Sequence, residues 1–78
     1  MDQQLIERVA ASILSYLEQR PASADTLDGI HRWWIDWGGR METPELTLEA
    51  LQLLERQQLV ESVAIGNKVL WRRPRNTA

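Results

Sequence analysis

The chain has 78 residues, enough for one domain and one core. It has no cysteine and a single histidine, which excludes a disulfide scaffold and a structural zinc site, so a small core must be filled by large side chains. The net charge of −2 hides an asymmetry: residues 1–67 carry five basic and eleven acidic side chains, whereas residues 68–78 carry Lys68, Arg72, Arg73 and Arg75 with no acid.

The first expected element is a helix over residues 3–19. At about 100° per residue, Leu5, Ile6, Val9, Ala10, Ile13, Leu14, Tyr16 and Leu17 fill one half of the wheel. Gln4, Glu7, Arg8, Ser15, Glu18 and Gln19 fill the other half. Pro21 forces the residue before it toward extended backbone and ends the helix. The stretch ASADT then offers helix caps: Asp25 is the expected start, with Ser23 and Thr26 as competitors.

A second helix is expected over 26–37. It contains the cluster HRWWIDW, three of the chain's four tryptophans within five positions. The wheel places Leu27, Ile30, Trp33, Trp34 and Trp37 on one face, opposite Asp28, Arg32 and Asp36. These indoles are therefore expected in the core, with Trp34 the most secure and Trp33, at the edge of the arc, the most exposed. A base-stacking platform would instead place aromatics among basic residues on an open sheet. Gly38 and Gly39 end the helix.

Thr43-Pro44-Glu45 predicts a helix start, with a hydroxyl cap, proline at the first helical position and an acid in the first turn. This third helix is expected over 44–57, with a stripe of Ala50, Leu51 and Leu54 extended by Thr47 and flanked by Leu46 and Leu53. Two strands follow, over 60–65 and 68–73, joined by a two-residue turn at Gly66-Asn67. In that register Glu61 faces Arg72 and Val63 faces Leu70. Val60, Ala64, Val69 and Trp71 are expected to face the core, while Val63, Ile65 and Leu70 share the opposite face. Pro74 stops the second strand, and 74–78 form a basic tail.

The order helix, helix, helix, hairpin, with ALQLLERQQLV at 50–60, resembles the winged helix-turn-helix family. Ala50, Leu51, Leu54, Leu59 and Val60 take the family's apolar positions, and Trp71 takes the aromatic of the last strand. The resemblance covers nearly the whole chain and implies an α+β fold of three helices and a two-stranded wing. Gln58 stands where the family often has glycine, so the third helix is expected to end less sharply or to run one residue longer.

Members that bind DNA insert the third helix into the major groove. The corresponding face here is Glu45, Leu48, Glu49, Gln52 and Arg56, with Glu55 at its side. Gln52 suits adenine and Arg56 suits guanine, but three acids on or beside the face oppose phosphate contact. Lys68, Arg72, Arg73 and Arg75 on the wing are the remaining nucleic-acid candidates. An apolar cluster of Val63, Ile65 and Leu70, with Leu48 and Trp33, instead marks a protein partner or a homodimer. The expected function is thus a small interaction module, with DNA binding as the alternative.

No catalytic constellation emerges. His31, with Asp28 one turn before it, reads as a surface or half-buried histidine rather than a general base. Glu42, Glu45 and Glu49 do not specify a cation site. The expectation is a non-enzyme without cofactor or metal. No stretch approaches the roughly 20 apolar residues of a membrane span, and the cytoplasm is the expected location.

Overall fold

The computed structural model describes residues 2–75. It contains helices α1 (Gln3–Gln19), α2 (Leu27–Trp33) and α3 (Pro44–Arg56), and strands β1 (Ala24–Asp25), β2 (Glu61–Ile65) and β3 (Lys68–Arg72). The class is α+β. The antiparallel sheet has three strands in the order β1-β3-β2, not the two expected from the sequence. Two residues are too few to show alternation, so β1 left no periodic trace. It forms because β3 has a second row of backbone donors and acceptors, and Asp25 pairs there with Trp71.

α1 starts at Asp2, whose Oδ1 accepts the Gln4 N–H at 2.9 Å, and ends at Arg20, whose N–H donates to the Tyr16 carbonyl. Its apolar half buries Ile6, Val9, Ala10, Ile13 and Leu17. Thr26, rather than Asp25, caps α2, its Oγ1 accepting the Gly29 N–H at 3.2 Å. Asp25 accepts the Thr26 N–H at 2.7 Å, and its carboxylate fills the space where a side chain at residue 29 would stand, so any side chain there would displace it from that hydrogen bond.

α2 ends four residues earlier than its apolar pattern implies. The reason lies in the groups that take over its last carbonyls. The Trp34 N–H still makes the helical bond to the Ile30 carbonyl, but the next carbonyl, that of His31, is taken by the Trp37 indole Nε1 at 2.8 Å. With the helix stopped, the chain turns and buries Ile35, a residue not among the apolar face expected for this helix. Trp34 is buried and stacks on Tyr16 with ring centroids 4.6 Å apart and planes 11° apart. The Arg20 guanidinium lies 4.9 Å from the centre of the Tyr16 ring. Trp33 is 74% exposed and Trp37 is half-buried.

α3 has Thr43 at its N-cap position and Pro44 at its start, but the Thr43 side chain makes no capping hydrogen bond. Thr43 is exposed, and water can serve the first-turn donors. Leu46, Thr47, Ala50, Leu51 and Leu54 are buried against α1 and α2. At its end Gln58 takes φ +63°, with the Gln58 N–H on the Glu55 carbonyl at 3.0 Å and the Leu59 N–H on the Leu54 carbonyl at 2.9 Å. This paired closure is the Schellman motif, and it stops the helix sharply without a glycine.

The hairpin register is the expected one, with Glu61 opposite Arg72 and Val63 opposite Leu70. In the turn only Gly66 takes a positive φ, the type II′ pattern. Val60 and Trp71 reach the core, but Ala64 is exposed and Val69 is 48% exposed, contrary to expectation. Only the base of the ribbon meets the helices; its tip extends past them, so alternation there no longer separates core from solvent. Leu59, expected to lead into the wing as an apolar anchor, is 43% exposed.

Candidate interaction surface

Strand alternation brings Val63, Ile65 and Leu70 to one face of the ribbon, together with Glu61, Lys68 and Arg72. Val63 and Leu70 are half-buried beside each other, and Ile65 is 55% exposed. None of the three is among the apolar side chains packed on the core. Arg72 and Glu61 form an ion pair on the same face, Nε to Oε2 at 2.8 Å, with both side chains partly shielded. The strip is therefore apolar along its middle, has a neutralised pair at its base and carries Lys68 at the tip. Val69, on the other face of the tip, adds exposed apolar surface that the periodic reading had consigned to the core.

The remaining expected contact residues are distributed differently. Leu48 is half-buried and packs against the core from α3, because the helix is tucked deeply between its neighbours. It contributes little free surface. Trp33 projects from the end of α2, on a separate element from the wing strip.

On α3, Glu45, Glu49, Gln52, Glu55 and Arg56 are all exposed, so the face expected to meet DNA is open but acidic. Glu55 is held by the Ser62 hydroxyl, which donates to its Oε2 at 3.0 Å. Arg72 is engaged by Glu61, leaving Lys68, Arg73 and Arg75 as exposed basic residues of the C-terminal stretch. The last three residues of the expected basic tail lie outside the described residues. A segment spanning 34–43 separates α2 from α3, much longer than the roughly three or four residues of a compact helix-turn-helix.

His31 is buried, not at the surface. Its Nδ1 shares a 2.7 Å hydrogen bond with the Thr47 Oγ1, and its ring centroid lies 5.0 Å from that of Trp37. The imidazole thus joins α2 to α3 through a polar contact inside the core. Among the described residues, no three acidic, histidine or cysteine side chains group to hold a metal ion, and no helix is long and apolar enough to cross a membrane.

Comparison with protein-family models, with curated proteins and with solved structures gives no match.

Proposed function

We propose that this chain is a winged-helix interaction module that binds a protein partner or its own copy, acts without enzymatic chemistry and works in the cytoplasm. The carrying observation is the apolar strip of Val63, Ile65 and Leu70, which stays outside the core while the base of the same ribbon is packed. An apolar strip beside a neutralised ion pair favours removal from water by another surface. The order of the three helices and the hairpin supports the winged-helix assignment.

DNA binding is the weaker reading. It draws support only from Lys68, Arg73 and Arg75, because acids dominate the exposed side of α3 and Arg72 is already paired. The experiment is to replace Ile65 and Leu70 together by lysine. The double variant should keep its circular dichroism spectrum and lose association in sedimentation and in pull-down from host extract. A folded variant that associates normally would sink the proposal.

A further inference from the structure

We propose that the partner is a second copy of this chain, added antiparallel along the free edge of β2 with Val63 on the two-fold axis. The inference rests on the interaction-module reading and specifies its geometry. In the sheet order β1-β3-β2, β3 is paired along its length by β2 and by β1 only at Trp71 and Arg72, and the β1 edge is only two residues long. β2 presents the one long edge among the described residues.

A two-residue turn makes Ile65 and Lys68 a hydrogen-bonded pair, and alternation then makes Val63–Leu70 and Glu61–Arg72 hydrogen-bonded pairs as well. The backbone N–H and C=O groups of Ser62 and Ala64 therefore point away from β3. Among the described residues, no turn, loop or cap hydrogen bond of the backbone engages them. β2, with the sequence ESVAI, has no proline, lysine or bulge along its edge, and its one charge, Glu61 at the base, is held by Arg72.

These two positions are self-complementary. Placing Ser62 opposite Ala64 of the second copy, and the reverse, satisfies both pairs of groups at once, with Val63 meeting its own counterpart between them. The register also sets Glu61 opposite Ile65 of the second copy. That Ile65 is paired in turn with its own Lys68 on the same face, about 10 Å from Glu61 across two strand spacings. The Glu61–Arg72 pair at the base of each copy thus lies beside the Lys68 tip of the other, twice by symmetry. The apolar strips of both copies merge into one surface across a six-stranded sheet.

The test is sedimentation equilibrium of the full chain over a wide concentration range, with three single variants and the Ile65→Lys/Leu70→Lys double variant. Wild type should approach twice its 9.0 kDa mass. Ala64→Pro removes an N–H that the hairpin does not use, a position where an edge strand tolerates proline, so the variant should fold and remain at the single-chain mass. Val63→Lys and Val63→Glu should each be monomeric alone, since like charges would face each other on the axis, and should form a dimer when mixed. Hydrogen exchange on wild type provides a readout independent of any variant's folding: the Ser62 and Ala64 amides should become protected as concentration rises.

A dimer that persists in folded Ala64→Pro, or fails to re-form from the mixed Val63 variants, overturns the edge pairing. If that dimer is lost in the Ile65→Lys/Leu70→Lys variant, the interaction-module reading still stands. A wild type that is monomeric throughout, with unprotected Ser62 and Ala64 amides, also overturns the inference. The module reading then stands only if a foreign partner is bound and released by that double variant.

Discussion

His31 and Thr47 meet inside the core, the imidazole Nδ1 2.7 Å from the threonine hydroxyl, with the residues 3% and 0% exposed. This contact ties α2 to α3 across the long connection between them. A buried polar atom that loses its only partner retains its desolvation penalty. Thr47→Val should therefore cost about 1–3 kcal/mol in denaturant unfolding. Adding His31→Leu should cost less than the sum of the two single changes, because the orphaned group is removed with its partner. Strictly additive costs would show that the two side chains are not coupled.

The tryptophans should separate sharply. Trp34 is buried and stacked on Tyr16, so Trp34→Ala should cost about 3–5 kcal/mol, a large share of the stability of so small a domain. Trp33 is 74% exposed, and Trp33→Ala should change stability by no more than about 0.5 kcal/mol. Thermal unfolding of the pair measures both. Equal losses would contradict the end of α2 at Trp33.

Gln58 holds a left-handed backbone conformation that glycine adopts without steric cost. Gln58→Gly should raise stability by about 1 kcal/mol, the strain released exceeding the added chain entropy. For a domain of this size that corresponds to roughly 4–8 °C in Tm. Gln58→Val should lower Tm, since a β-branched residue fits that region worst. A loss of stability in the glycine variant would contradict the sharp helix closure.

Nucleic-acid binding, if measured, should be weak and strongly screened. With Arg72 held by Glu61, three basic side chains of the C-terminal stretch remain for phosphates. The slope of log K against log salt should then be no steeper than about −2.7. Nanomolar, sequence-specific binding at physiological salt, lost on changing Gln52 or Arg56, would reverse the ranking of the two functions.

Local chemistry was legible in the residues themselves. The apolar halves of α1 and α3, the Pro21 stop, the Thr43-Pro44 start and the Gly66-Asn67 register all follow from neighbours a few positions apart. So does the ranking of Trp34 over Trp33. The apolar strip of the wing was equally legible, because a fixed turn and strict alternation decide which side chains share a face.

Partners distant in the chain decided the rest. α2 stops at Trp33 because the Trp37 indole takes over the His31 carbonyl, and β1 exists only because Trp71 of β3 has backbone groups to offer Asp25. His31 is buried because Thr47 supplies its hydrogen bond. Val69 is exposed because the ribbon outreaches the helices. Periodicity tells which face of an element is apolar, but where that element ends, what pairs with its edge and how far the core extends depend on surfaces brought together only by folding.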